Sequence, residues 1–282
     1  MDEQNETGIK KISFENPPRI KNFPLYFLHV CVKVISIIVF VAGTICISVV
    51  LFPILKLIFP SQKKFKKAGH HAISIIFRGY VLFLRIIGCS RLSVIDKKKF
   101  RELRSCIVVA NHPSLMDVVM LISLIPNADC MVNGGLSEKK NIMHIIVRQL
   151  YIPTNCEYEE LLEKCRESLL DGNCLLIFPE GTRSLASGQN RYKKGAARIA
   201  RASGCPIVPV YIGGNDKRGL RKKDPVYRYN TREMFHYILK MKDERIYPED
   251  YKDLPEPAAA KGMTQKIRSL LCDEANTEYL EL

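Results

Sequence analysis

The polar and apolar positions divide the chain into three regimes. Residues 1–22 are polar and mixed in charge, and predict a loose tail. From Phe23 to Pro60 the chain is apolar, broken only by His29, Lys33, Lys56 and a few small polar residues. Within that stretch Val34–Leu55 (VISIIVFVAGTICISVVLFPIL) carries no charge over 22 residues, the length at which a helix crosses a bilayer. It lies too deep in the chain and runs too long for a cleaved leader. Two arrangements fit: one tilted span, or a shallow hairpin bending near Gly43 and Pro53. Lys10, Lys11, Arg19 and Lys21 precede it and Lys63, Lys64, Lys66 and Lys67 follow it. The distribution of cations therefore sets no orientation. Residues 71–92 (HAISIIFRGYVLFLRIIGCSRL) read as one further helix, with Arg78 and Arg85 seven apart on one face. Such a helix suits the bilayer interface; the alternative is a helix packed between membrane and domain.

From about Leu92, short apolar runs alternate with helical periods. Strands are expected at Cys106–Ala110, Cys130–Val132, Cys174–Phe178, Ile207–Ile212 and Met234–Met241. Helices are expected at Ser114–Leu124, Glu138–Leu150, Tyr158–Leu170, Gly195–Ser203 and Ala258–Leu271. The alternation predicts an α/β fold, a mostly parallel mixed sheet flanked by helices. The expected organisation is a tail (1–22), membrane-embedded and interfacial helices (23–92), and an α/β domain (93–282). Polar loops at 181–194 and 213–228 follow strands, on the sheet edge where open α/β folds hold ligands.

A hydrophobic fraction of 47% supports a sizeable core. Lys+Arg 43 against Asp+Glu 29 gives a net charge of +14, which favours anionic partners: nucleic acid, an anionic membrane, phosphorylated substrates or an acidic carrier protein. Nucleic acid fits poorly, because many cations gather beside the apolar segment and no recognised nucleic-acid motif is present. Ten cysteines occur without a C-x-x-C pair, several inside apolar runs (Cys31, Cys46, Cys106, Cys174). Neither zinc spacing nor a disulfide scaffold fits them, and they read as buried reduced thiols. No spacing implies a metal or a redox cofactor.

Two stretches carry candidate chemistry. In NHPSLMD (111–117), His112 ends an apolar strand and Asp117 follows five residues later. Ser114 and Asp117 have the spacing of a capping box that starts a helix. The same residues also fit a base with its orienting carboxylate, and Pro113 pushes His112 toward an extended conformation. In CLLIFPEGTRS (174–184) a strand runs into a turn, stopped by Pro179 and tightened at Gly181. Exposed N–H groups there, with the Thr182 hydroxyl and the Arg183 guanidinium, suit a phosphate. Lys193 and Lys194 add cations where Gly195 opens the next helix.

In order and spacing, H-x4-D, then F-P-E-G-T-R-S, then K-K-G-A-A, then I-V-P-V (207–210) resembles the glycerolipid acyltransferase family, the lysophosphatidic acid and glycerol-3-phosphate acyltransferases. The resemblance covers about residues 80–245 and the membrane-embedded N-terminal helices. It implies a bacterial inner-membrane enzyme with its catalytic domain on the cytoplasmic face. The enzyme would move an acyl group from acyl carrier protein or acyl-CoA to a hydroxyl of a lysolipid. His112 would be the general base and Asp117 its orienting carboxylate, with the substrate hydroxyl in the place of a serine. Glu180, Gly181, Thr182 and Arg183 would form the acceptor site, assisted by Lys193 and Lys194. Residues 207–210, Pro209 among them, would line the groove.

One departure bears on the acceptor. Where phosphate-handling members carry an F-I-D-R-like segment, this chain reads IIVRQLYIPTN (145–155), with Asn155 near the arginine's place and Arg148 upstream. The acceptor therefore stays open between lysophosphatidate and that of a specialised, aryl-polyene-type lipid pathway. Two rival readings keep the fold and change the function: a catalytically silent membrane scaffold, and a thioesterase that activates water.

Overall fold

The computed structural model describes residues 23–132, 142–183, 191–215, 217, 219–221, 224 and 234–278. The expected tail, positions 138–141 of the expected helix and parts of both polar loops lie outside them.

The apolar segment is a single continuous rod. Phe23–Cys46 (α1) passes through a π-turn at Ile47–Leu51 into Phe52–Ile58 (α2). Pro53 stands in the first turn of α2, and the wider turn before it accommodates the ring and the missing N–H. The chain reverses at 59–61 and returns as Gln62–Ile86 (α3). Phe52 meets Phe65, Phe40 meets Phe77, and the Tyr80 hydroxyl donates to Ser36 O at 2.9 Å. Those pairings descend one arm as they climb the other, so the arms are antiparallel. Of the two arrangements, the one bending near Gly43 and Pro53 is not observed: the helix runs through both.

α3 also differs from the helix expected over 71–92. It starts nine residues earlier and stops at Ile86, because Gly88 adopts φ +71° and Cys89 N–H closes back on Leu84 O at 2.9 Å. The following residues become a strand. One face of α3, with Phe65, His70, Ile73 and Leu84, is buried. Arg78 is exposed, yet its Nε donates to Ser123 O at 3.4 Å at the end of Asp117–Leu124 (α5). α3 thus packs on the domain, with Ile75, Ile76, Leu82 and Ile86 exposed on its other side.

Among the described residues, seven strands form the sheet: β1 (Ser90–Ile95), β2 (Cys106–Ala110), β3 (Ala128–Val132), β4 (Ile152–Pro153), β5 (Cys174–Ile177), β6 (Ile207–Gly214) and β7 (Phe235–Met241). Their order is β1-β7-β6-β2-β5-β3-β4. β6, β2, β5, β3 and β4 are parallel; β7 runs antiparallel to β6 and carries β1 parallel beside it. The remaining helices are Lys97–Glu102 (α4), Ile142–Leu150 (α6), Tyr158–Leu170 (α7), Gly195–Ser203 (α8) and Glu256–Glu278 (α9). β1, β4 and α4 were not expected, and α5 begins at Asp117 instead of Ser114.

β2 is buried along its whole length, as a central parallel strand must be. Cys106, Val108 and Ala110 face the core shared with α3 and α5, whereas Ile107 and Val109 face the core under α7, α8 and α9. Cys106 and Cys174 are buried thiols 3.7 Å apart on paired strands. Cys46, by contrast, is exposed and Cys31 half-buried, because both ride on α1.

Candidate active site

Sheet order explains why distant motifs meet. β2 and β5 are adjacent and parallel, so NHPSLMD and FPEGTR leave the same edge side by side. β6 also ends there, and its antiparallel partner β7 begins there, with Gly214 opposite Tyr237. The Asn111 side chain extends the β2–β6 ladder, exchanging two hydrogen bonds of 2.8 Å with the Ile212 backbone. That fixes the strand end from which His112 projects.

His112 Nδ1 lies 2.7 Å from Asp117 Oδ2. A carboxylate only accepts, so the Nδ1 hydrogen points at it, the tautomer that in a neutral ring leaves the lone pair on Nε2. Asp117 is fully buried, at 0% exposure. Its Oδ2 also accepts the Ser114 N–H at 2.7 Å, and Oδ1 accepts the Ser114 hydroxyl at 2.6 Å. The acid-to-backbone half of the capping box is therefore made. The other half is replaced: the Ser114 hydroxyl spends its hydrogen on Asp117 and accepts Met116 N–H at 3.2 Å. Beyond Ser114 stands the hydroxyl of buried Tyr237 at 2.8 Å. Lys217 Nζ lies 4.5 Å above the Tyr237 ring and donates to His236 O at 2.7 Å. The His112 imidazole also stacks on Phe178, with centroids 4.2 Å apart.

The second motif wraps the first. Glu180 is buried, and its Oε1 accepts the His112 backbone N–H at 3.0 Å. It fixes His112 rather than joining the cavity wall, unlike the acceptor role expected for it. Gly181 adopts φ +65°, and Lys193 lies so close above it that a Cβ would come within 2.7 Å of Nζ. Arg183 Nη1 donates to Leu220 O at 3.0 Å and Arg221 O at 2.9 Å.

A cavity of about 810 Å³ opens beside these groups. His112, Gly181, Thr182, Arg183 and Lys193 line one end, whereas Phe40, Ile47, Phe77, Val119 and Ile122 line an apolar interior between α1, α3 and α5. Lys194 is exposed and lies outside this wall. Pro209 differs most from expectation. It lies within buried β6, paired with Val109 and accepting Lys242 N–H at 2.9 Å, away from the cavity. Arg148 is exposed on α6; Tyr151 and Thr154 supply the cavity wall in that region. Sequence reasoning missed Tyr237, Phe178, Leu220 and Lys33 as parts of this region, since each reaches it through sheet order or helix packing. Among the described residues no cluster of His, Cys, Asp and Glu has the form of a metal site.

The Acyltransferase family model matches residues 91–213, a stretch holding both motifs. A 1-acyl-sn-glycerol-3-phosphate acyltransferase of Cocos nucifera is 31% identical over 200 residues, covering 62% of this chain and 63% of that protein. A probable 1-acyl-sn-glycerol-3-phosphate acyltransferase of Mycoplasma pneumoniae is 26% identical over 218 residues, covering 74% of this chain and 78% of that protein. The crystal structure of the 1-acyl-sn-glycerophosphate acyltransferase PlsC from Thermotoga maritima shares the fold, with a TM-score of 0.57 and 20% identity. That match covers 89% of this chain and 96% of the other. The chain spans 34% to 63% of the length of the three higher-plant relatives it matches. The fold, the two motifs at one sheet edge and these matches agree: the chain carries an Acyltransferase-type segment over residues 91–213 and is similar to the 1-acyl-sn-glycerol-3-phosphate acyltransferases.

Proposed function

We propose that this chain is a membrane-bound O-acyltransferase that moves an acyl group from a thioester to a hydroxyl of a lysophospholipid such as 1-acyl-glycerol-3-phosphate. The observation that carries the reading is the His112–Asp117 pair, 2.7 Å apart with the carboxylate buried, set in the wall of a cavity with a cationic end and an apolar interior.

The acceptor oxygen attacks the thioester carbonyl carbon while its proton passes to His112 Nε2. Asp117 remains ionised and stabilises the imidazolium. The tetrahedral intermediate collapses, the C–S bond breaks, and the imidazolium returns the proton to the departing thiolate. No acyl-enzyme forms, so no serine or cysteine nucleophile is required. Arg183, Thr182 and Lys193 hold the acceptor's anionic group. The acyl chain occupies the apolar interior of a cavity whose total volume, about 810 Å³, falls within the range of about 300–1,000 Å³ common for small-molecule sites.

Phe23–Ile58 is a 36-residue helix long and apolar enough to cross a membrane, and Phe23, Phe27, Ile38, Val49, Leu57 and Ile58 are exposed along it. Seated in the bacterial inner membrane with the domain on the cytoplasmic face, it would meet acceptor lipids directly. The donor is acyl carrier protein or acyl-CoA, which share the phosphopantetheine thioester. A net charge of +14 favours the acidic carrier.

The decisive assay is acyl transfer by the purified chain in detergent micelles, with His112→Ala as control. The variant is expected to bind micelles and fold as wild type but to transfer nothing; full activity would end the mechanism. Thioester loss without an acylated lipid would favour a hydrolase, and no turnover at all a silent scaffold. A second acceptor class is favoured by one observation: Arg148 stands outside the cavity and no arginine replaces it near Asn155. Transfer to a lysolipid without a phosphomonoester would identify that class.

A further inference from the structure

Lys33 is the single charged residue between Phe23 and Leu55. It does not point away from the domain. Its side chain is 1% exposed, and Nζ donates to Gly219 O at 3.1 Å. An ammonium removed from water is retained where polar partners compensate it. Here the partner belongs to the loop after β6, 186 residues along the chain.

That loop is held from several sides. Gly219 adopts φ +85°, and its N–H donates to Asp224 Oδ2 at 2.6 Å. The next two carbonyls, of Leu220 and Arg221, accept from Arg183 Nη1 at 3.0 and 2.9 Å. Leu220 O also accepts the Leu115 N–H at 3.1 Å, inside the H-x4-D turn. Three successive carbonyls thus join the first apolar helix, the P-E-G-T-R turn and the His112 turn. Lys33, Arg183, Leu220 and His112 all border the one cavity.

We infer that Lys33 is a positioning residue for acyl transfer: it seats the 219–221 turn so that the carbonyls of Leu220 and Arg221 hold the Arg183 guanidinium where the acceptor's anionic group binds. The inference rests on the proposed role of Arg183. Lys33 itself touches neither reacting atom. Its consequence is that the arginine's placement depends on α1 being docked.

The test uses the full chain in lipid nanodiscs, comparing wild type, Lys33→Met, Lys33→Arg, Arg183→Ala and the Lys33→Met/Arg183→Ala double variant. Met matches the stem without the charge, so folding is expected to survive. Lys33→Met is expected to raise the acceptor KM about tenfold, with kcat and the donor KM within about twofold, and Lys33→Arg to recover most of the loss. In the Arg183→Ala background the same change is expected to add less than about twofold. An undiminished effect there, or a fall in kcat at constant KM, would overturn the inference. Hydrogen–deuterium exchange reads the contact without turnover: uptake in the peptide carrying Gly219–Arg221 is expected to rise in Lys33→Met and not in Lys33→Arg. Unchanged uptake overturns the role of Lys33 even if acyl transfer is robust. A wild type that transfers no acyl group refutes the acyltransferase reading separately.

Discussion

Replacing Tyr237 by phenylalanine deletes one oxygen that lies three hydrogen bonds away from the imidazole, and the size of the effect follows from donor counting. Ser114 has one hydroxyl hydrogen, and Asp117 Oδ1, 2.6 Å away, can only accept it. The 2.8 Å contact between Ser114 and Tyr237 is therefore one in which the tyrosine donates. Tyr237→Phe removes a bond between neutral groups, a net of about 0.5–1.5 kcal/mol, or at most about tenfold in rate. Ser114→Ala removes a donor to an ionised carboxylate, about 1.5–3 kcal/mol and so roughly 10- to 200-fold. Asp117→Asn keeps the shape but removes the charge that stabilises the imidazolium; the analogous change in a serine protease triad costs about 10⁴ in kcat. The assay is initial thiol release from acyl-CoA with lysolipid present, with thermal melts to show that each variant is folded. The expected order of loss is Asp117→Asn, then Ser114→Ala, then Tyr237→Phe. A Tyr237→Phe variant as slow as Asp117→Asn would refute the chain, as would Ser114→Ala at the wild-type rate.

Gly181→Ala forces a side chain into a left-handed conformation, costing about 1–2 kcal/mol, and brings its Cβ within 2.7 Å of Lys193 Nζ. A lower melting temperature and a raised acceptor KM are expected; wild-type values for both would contradict the close approach. Burial raises the pKa of Asp129, which bonds Cys130 N–H and the Ser168 hydroxyl beside His70. The folded state therefore holds this proton more tightly than the unfolded chain. Stability falls as pH climbs from the ordinary carboxylate range through the raised folded value, by up to about 1.4 kcal/mol per pH unit. Asp129→Asn is expected to flatten that slope in denaturant titrations at stepped pH, and an unaltered slope would reject the assignment. Ile37 borders the cavity from α1. Ile37→Trp is expected to shift kcat/KM toward shorter acyl chains, each excluded methylene forfeiting about 0.8 kcal/mol of burial; an unchanged chain-length ranking would argue against acyl binding there.

Features encoded in short stretches were readable from the sequence. The uninterrupted apolar run Cys106–Ala110 marks a strand buried on both faces, and H-x4-D and P-E-G-T-R lie within single turns. β1 was missed because Ser90–Leu92 follow α3 with little loss of apolar period, and the stop signal is the conformation of Gly88. Two-residue β4 is too short for any periodicity. The family resemblance implies an acceptor role for Glu180, whereas the turn aims its carboxylate at the His112 backbone. The resemblance implies a groove position for Pro209, but neighbouring strands enclose it. Tyr237 follows Ser114 by 123 residues, and only the antiparallel return of β7 brings the two together.

The rod from Phe23 to Ile58 carries two messages in one stretch of sequence. Ser36, Ile37, Phe40, Thr44 and Ile47 line the cavity, while Ile35, Ile38, Val41, Ile45 and Val49 are exposed. At 3.6 residues per turn, inserting or deleting one residue rotates everything beyond it by about 100°. Such a change would present the outer row to the cavity and the inner row to the surroundings. The rod should therefore tolerate exchanges among apolar residues far more readily than any change in its length, because its frame, more than its composition, keeps the two surfaces apart.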